Sequence, residues 1–453
     1  MGVLFGTDGI RGVANETLDA PLAYRVGQAA ALALAEQTEG RPLFLIGKDT
    51  RISSDLLENA LTAGLLACGA DVMSLGVLPT PAVAYLTVCN HAAAGIVISA
   101  SHNPFEHNGI KIFSGAGFKL NDALEEKIEQ LILQEAPLPV KTHGELGRTV
   151  SGEGQLERYI AHLVSTVPEG LHGRRILVDC ANGAASATAK KLFANFDLTV
   201  DFIHCSPDGV NINNGCGSTH LESLAKGVVA GGYDLGIAFD GDADRCLAVD
   251  ETGAEVDGDK IMAICATAME ADGRLKNGGF VATIMSNMGL HKYANAHGFR
   301  ILCAAVGDRN VLELMQKEHM ILGGEQSGHI IFLEHMTTGD GQLAALQLLR
   351  ILCAGDKTLG QYCAEIPHYP QELINVKGPV SNAEKAALIA SEAMQAIIAA
   401  GEEKLGGDGR ILVRPSGTEA LIRVMVESAN ADLARTVARE VANMVENVQK
   451  NGE

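Results

Sequence analysis

Three aspartates alternate in the segment FDGDADRC: Asp240, Asp242 and Asp244. A tight turn with carboxylates on alternate residues can aim all three at one point. Bare, they repel one another, and a hard cation such as Mg2+, which takes oxygen ligands, is the natural compensation. A second segment, AGIVISASHNPFEHNGIKIF, ends an apolar run on two serines, a histidine and Asn-Pro, with Lys111 ten residues past Ser101. A phosphoserine at Ser101 would add about −1.5 to −2 charge at neutral pH. One of its oxygens could then complete the cation's shell, with Lys111 neutralising a transferring group or moving a proton.

Other readings of the same residues stay open at this point. An EF-hand would use Asp240, Asp242, Asp244 and Glu251, but Arg245 stands where that loop needs glycine, and strand-like runs rather than helices flank it. A phosphatase of the haloacid-dehalogenase type would take Asp240 as its nucleophile. The trio could also be a solvated acidic turn, and the Ser101 segment a capped turn with a structural His102.

Four more segments carry chemistry. RPSGTE (414–419) sets a forked cation, two hydroxyls and a glycine in a row, which suits a phosphate cradle; it lacks the G-K-[ST] of a Walker loop. GGEQSGH (323–329) offers Glu325, Ser327 and His329 between glycines, a carboxylate and a hydroxyl that can hold vicinal sugar hydroxyls or an amine. GTDGIRG (6–12) places Asp8 and Arg11 in a loop near the start, and VGDRN (306–310) adds Arg309.

The elements that must position these groups repeat. PLFLIGKDTR reads as a buried strand and polar loop, SDLLENALTAGLLACG as a helix, ADVMSLG as a strand, and GIVISASHNP as a strand ending in polar residues. RRILVDCANGAAS, LTVDFIH and YDLGIAFDGDADR follow the same order, and so do GFVATIMSNMGL, FRILCAAVG and MILGGEQSGH. Short apolar runs alternating with helical patterns predict α/β units with mostly parallel strands. Ligands collect at the carboxyl ends of such strands, so the three polar motifs are expected to converge. The tail differs: a linker and strand in EIPHYPQELINVK, one amphipathic helix over SNAEKAALIASEAMQAIIAA capped by Ser381 or Asn382, a strand–turn–strand, and a closing helix. The pattern predicts an α/β fold with a small α+β tail.

Bulk properties narrow the function class. The chain has 453 residues, 47% of them apolar, enough for several cores. Its net charge of −20 and lack of a basic stripe argue against nucleic acid, and an anionic substrate would need cations gathered locally. No run of 18 apolar residues predicts a membrane span. Ten cysteines without C-x-x-C, most in apolar patterns, read as free thiols of a reducing, cytoplasmic compartment.

With FGTDGIRG, SASHNPFEHNGIK, DGDADR, GGEQSGH and RPSGTE in this order, the chain resembles the α-D-phosphohexomutase superfamily from about residue 3 to 445. The resemblance implies three similar mixed-sheet α/β domains at 1–145, 146–254 and 255–366, a smaller α+β domain at 367–453, and the active-site cleft between the four. It also implies a phosphorylated Ser101 and one Mg2+ held by Asp240, Asp242, Asp244 and a phosphoserine oxygen. It implies a sugar grip by Glu325 and Ser327, and a grip on the non-transferring phosphate by Arg414, Ser416, Gly417 and Thr418. Arg11, Lys111 and His329 match acid–base or charge-stabilising positions, and Arg309 joins the expected substrate contacts. Gln326 and Ser99 stand where glucose and mannose relatives commonly carry Met and Thr, which resembles the glucosamine branch. The implied activity interconverts glucosamine 6-phosphate and glucosamine 1-phosphate through a glucosamine 1,6-bisphosphate intermediate, feeding UDP-N-acetylglucosamine and peptidoglycan precursor synthesis in bacteria. Glucose or mannose phosphates, and an aspartyl sugar-phosphate phosphatase, are the alternatives. The expected partner is a small sugar phosphate; a homodimer is compatible with the resemblance.

Overall fold

The structure, a computed structural model, describes residues 4–6, 8–35, 40–134, 136–379, 381–415 and 420–451. Two compact units emerge: Met1–Met285 with Phe299–Glu365, and Ser286–Gly298 with Ile366–Glu453.

The first unit contains one supersecondary pattern three times. In the first copy Leu43–Lys48 lies between Asp71–Val77 and Ala94–Ile98, parallel to both, and His107–Ser114 runs antiparallel beside Ala94–Ile98. The second copy does the same with His172–Asp179, Asp197–Ile203, Leu235–Phe239 and the antiparallel Cys246–Asp250. The third does so with Gly279–Thr283, Arg300–Ala304, Leu322–Gly324 and the antiparallel Ile330–Phe332. Each sheet is therefore mixed, with strand order second–first–third–fourth. In every copy the polar motif is the turn between the third strand and the antiparallel fourth.

Apolar burial holds these sheets in place. Phe44, Ile46, Ile96 and Ile98 point into the core under the first sheet, packed by Leu57, Leu61 and Leu65 of the helix Ser54–Ala67. Val83 and Ala84 of Thr80–Cys89 cover its other face with Val97 and Phe113. Each fully buried side chain of this size contributes about 1.5–3 kcal/mol. The helix Gly341–Ala354, apolar on most sides, is buried where the second and third copies meet; its Gln342 donates to Thr188 Oγ1 at 2.6 Å. Asp340 caps it, accepting from the backbone of Gln342 and Leu343 at 3.0 Å each and from Tyr159 Oη at 2.7 Å.

Some expectations change. GTDGIRG is not a loop: Gly9–Val13 is a strand against His107–Ser114, with Arg11 opposite Gly109. Three extra strands, Phe5–Gly6, Gly9–Val13 and Thr149–Val150, widen the first sheet to seven, so that sheet reaches past residue 145. The third copy's first helix, Met288–His297, clusters with the C-terminal segment.

In the second unit Gln371–Lys377, Leu421–Ser428 and Gly409–Pro415 form an antiparallel sheet in that order, packed by the helix Ala431–Asn451 through Val437, Val441 and Val445. The single helix expected over 381–400 is two, Asn382–Ala390 and Glu392–Leu405. Ser381 caps the first, and Ser391 breaks the run: its backbone is extended, its hydroxyl donates to Leu388 O at 2.7 Å, and it accepts from Met394 N at 3.3 Å. A serine that satisfies both helix ends competes with a continuous helix. No helix among the described residues is long and apolar enough to cross a membrane, and all ten cysteines are free.

Candidate active site

The first copy's turn carries Ser101 in a left-handed conformation, φ +52. A non-glycine residue there costs about 1–3 kcal/mol and persists only where its surroundings hold it. Here they do. Ser99 Oγ accepts from Ser101 N at 3.0 Å, while Arg51 Nη2 and Asn213 Nδ2 donate to Ser101 O at 3.1 and 2.8 Å. Both donors also reach Asn103 O, and Arg51 is ion-paired with Asp49. The hydroxyl is thereby aimed at Asp240, donating to Oδ2 at 2.6 Å.

The second copy's turn brings the three carboxylates together as expected: Asp240, Asp242 and Asp244 are buried, with one oxygen from each within 4.8 Å of the others. Ala243, at φ +55, makes the reversal between them. Asp242 Oδ1 and Asp244 Oδ1 are buried without a hydrogen bond. Burial and the neighbouring Asp244 and Asp242 push the Asp240 carboxyl well above the usual range. A buried acid pushed toward its neutral form by its neighbours, beside two carboxylate oxygens without a hydrogen bond, fits a site made for a divalent cation.

Lys111 closes the trio from the first sheet, where it sits opposite Val97. Its Nζ lies 3.0 Å from Asp242 Oδ2, 3.0 Å from Asp8 Oδ2 and 3.9 Å from Asp244 Oδ2. Burial alone would lower this lysine's pKa, yet Asp242, Asp8 and Asp244 raise it well above normal, so it stays charged. The reciprocal holds for Asp242: burial opposes ionisation, but Lys111 and the Thr80 hydroxyl, 2.6 Å away, keep it well below the usual carboxylate range. Arg11 is paired with Asp8.

From the third copy, His329 Nδ1 approaches Asp244 Oδ2 at 3.5 Å and Nε2 approaches Asp308 Oδ2 at 3.8 Å. Burial would keep the ring neutral; Asp244 and Asp308 instead raise its pKa to about 9. Gly339 N points at Nε2 from 3.1 Å, a contact that the neutral ring alone accepts. The two influences oppose each other: the carboxylates favour the charged ring, the Gly339 N–H the neutral one. In the same turn Glu325 Oε1 accepts from Gly307 N at 3.0 Å, Gln326 Nε2 donates to Asp257 Oδ2 at 3.2 Å, and Ser327 is exposed. Arg309 is turned elsewhere, onto Asp122 at 2.5 Å, Glu125 at 2.7 Å and Leu120 O at 2.8 Å.

In the second unit Arg414 stands at the end of Gly409–Pro415, directly across from Arg423 of the neighbouring strand. Burial and this like charge lower its pKa, a repulsion that a bound anion would relieve. Ser416, Gly417 and Thr418 lie outside the described residues.

Sequence reasoning missed the groups that hold the turns. Arg51 was visible inside GKDTR and Asp308 inside VGDRN but neither was assigned, and Thr80 and Asn213 had no motif around them. Lys119 in GFKL carried no signal; its Nζ lies 2.6 Å from both Asp8 Oδ1 and Asp308 Oδ2.

Comparison with known proteins agrees with this geometry. The chain matches phosphoglucomutase/phosphomannomutase alpha/beta/alpha domain I over residues 2–138, domain II over 157–253, domain III over 257–369 and the C-terminal domain over 373–444. It is 52% identical over 447 residues to the phosphoglucosamine mutase of Carboxydothermus hydrogenoformans, covering 98% of this chain and 100% of that one. It is 51% identical over 449 residues to the phosphoglucosamine mutase of Rhodococcus erythropolis, covering 99% and 100%. Among solved structures, a phosphoglucomutase/phosphomannomutase family protein from Burkholderia thailandensis superposes with a TM-score of 0.81 at 22% identity, over 98% of this chain and 97% of that one. An N-acetylphosphoglucosamine mutase of Aspergillus fumigatus, solved with GlcNAc-6P and magnesium, gives 0.71 at 18% identity, over 99% and 96%. Full-length identity of about half, and the four domains in order, show that the chain belongs to the phosphoglucomutase/phosphomannomutase family of α-D-phosphohexomutases, on the branch whose curated members are named phosphoglucosamine mutases.

Proposed function

We propose that the protein interconverts glucosamine 6-phosphate and glucosamine 1-phosphate, with Ser101 as the phosphoryl carrier. The observation that carries this reading is the Ser101 hydroxyl donating at 2.6 Å into a buried trio of carboxylates. Mg2+ held by Asp240, Asp242, Asp244 and a phosphoserine oxygen would supply charge neutralisation for the transferring group.

The chain's own residues do the rest. The strained Ser101 turn, pinned by Arg51 and Asn213, orients the phosphoryl donor toward the sugar. Lys111 stays charged beside it and offsets negative charge as the phosphoryl group moves, which matters in a chain of net charge −20. His329 and Arg11 are placed to exchange a proton with, or stabilise, the reacting oxygen. Glu325 and Ser327 hold the sugar, while Arg414, Ser416, Gly417 and Thr418 receive the phosphate that stays behind. Arg309 would join the substrate contacts only by releasing Asp122 and Glu125. The bisphosphate turns over between two half-reactions, so each phosphate in turn meets Ser101. We assign the domains as 1–145, 146–254, 255–366 and 367–453 and place the protein in the cytoplasm.

The test is turnover of purified protein with Mg2+ on glucosamine, glucose and mannose 6-phosphates, primed with a hexose 1,6-bisphosphate and followed by 31P NMR. Glucosamine 6-phosphate is expected to give the highest kcat/KM. Preference for glucose or mannose would reassign the sugar, and net release of inorganic phosphate would replace the mutase with a phosphatase.

A further inference from the structure

Lys119 is half-buried at the end of the hairpin that follows His107–Ser114, bridged to Phe113. Burial alone would discharge it, but Asp308 and Asp8 raise its pKa and keep it an ammonium. Its charge is shared between two carboxylates from distant parts of the chain, each at 2.6 Å. Asp8 belongs to the segment that also holds Lys111 and Arg11; Asp308 begins the helix Asp308–Lys317 and faces His329. One ammonium thus links the cations beside the Ser101 turn to the imidazole of the third copy.

The joint around it sets polar contacts beside apolar side chains such as Phe118, Leu312 and Ile331. Thr337 Oγ1 donates to Gly117 O at 2.6 Å, and Arg309 grips Asp122, Glu125 and Leu120 O. A cavity of about 460 Å³ lies beside it, lined by Phe118, Lys119, Asp308, Thr337 and Thr338 among others. Where apolar side chains do not fill a joint, charges set its geometry.

We propose that Lys119 is a positioning residue for phosphoryl transfer: by holding Asp8 and Asp308 together it sets the placement of Lys111 and Arg11 relative to His329. This rests on the functional reading of the Ser101 site. Without the ammonium, two half-buried carboxylates lose the cation they share and keep only Lys111 and Arg11 on one side and His329 on the other. Asp8 then draws harder on Lys111 and Arg11, and Asp308 on His329. A misplacement near 1 Å costs about 100-fold in a preorganised site.

The experiment compares Lys119→Met, Lys119→Arg and Thr337→Val in the full chain with Mg2+ and glucosamine 6-phosphate. Lys119→Met is expected to lower kcat by about 10- to 100-fold while KM moves less than about 3-fold. Lys119→Arg, which keeps the charge, recovers most of the rate. Thr337→Val, which loosens the same joint without touching the charges, lowers Tm and leaves kcat near wild type. Should Lys119→Met fail to fold, Asp308→Asn is read by the same split. The proposal is overturned if Lys119→Met keeps wild-type kcat, if its effect is confined to KM, if arginine gives no rescue, or if Thr337→Val loses as much rate. Absence of wild-type turnover in the same assay would instead refute the functional reading.

Discussion

The turn with Ser101 and the turn with the aspartates occupy the same place in two copies of one unit, yet their chemistry is opposite. One presents a hydroxyl beside Lys111; the other presents three carboxylates. Both hold a non-glycine residue in the left-handed region, Ser101 and Ala243. The corresponding turn of the third copy, Glu325 to His329, uses Gly328 at φ +93 instead. Strain sits where the Ser101 hydroxyl and the carboxylates are aimed at each other, and glycine relaxes the turn that carries the proposed sugar contacts. Topology places these turns together; the residues within each decide what it does.

Substitutions can break this pairing from either side. Asp242→Asn keeps the side chain's shape but removes a proposed metal ligand and one of the two nearest partners of Lys111. We expect kcat to fall at least about 100-fold and the Mg2+ concentration for half-maximal activity to rise; unchanged Mg2+ dependence would separate Asp242 from the metal. A smaller effect is expected where the two turns touch. A Cβ on Gly241 would meet Ser101 O, Asn213 Nδ2 and Ile212 Cδ1. Gly241→Ala should destabilise by about 1–3 kcal/mol through overpacking and slow turnover by misplacing Ser101. Gly144→Ala, which meets nothing within 4 Å, should stay within about 0.5 kcal/mol in the same melts. Equal stability for the two variants would mean that the turns do not press on each other.

Much of this was legible in the residues. The triple strand–helix order was written in apolar runs, because the inner strands Ala94–Ile98, Leu235–Phe239 and Gly279–Thr283 are buried on both faces. The motifs at strand ends were legible because glycine, carboxylate and hydroxyl cluster there. The strands Phe5–Gly6 and Gly9–Val13 were not: they are short and glycine-rich, they pair with each other, and Gly9–Val13 pairs on its other side with residues about a hundred positions away. The helix break at Ser391 was hidden by an amphipathic pattern that runs straight through it. Lys119 and Asp308 meet through tertiary contact alone, and no spacing rule links residues so far apart. Arg309, expected at the substrate, pairs with two carboxylates of the first copy for the same reason.

The central claim is that Ser101 carries the phosphoryl group, and intact mass with peptide mapping tests it directly. After exposure to a hexose 1,6-bisphosphate, wild-type protein should hold one phosphoryl group on the peptide containing Ser101, and Ser101→Ala should hold none and turn over no substrate while melting like wild type. A fully active wild type with an unmodified Ser101, or an alanine variant with near-normal turnover, would contradict the account.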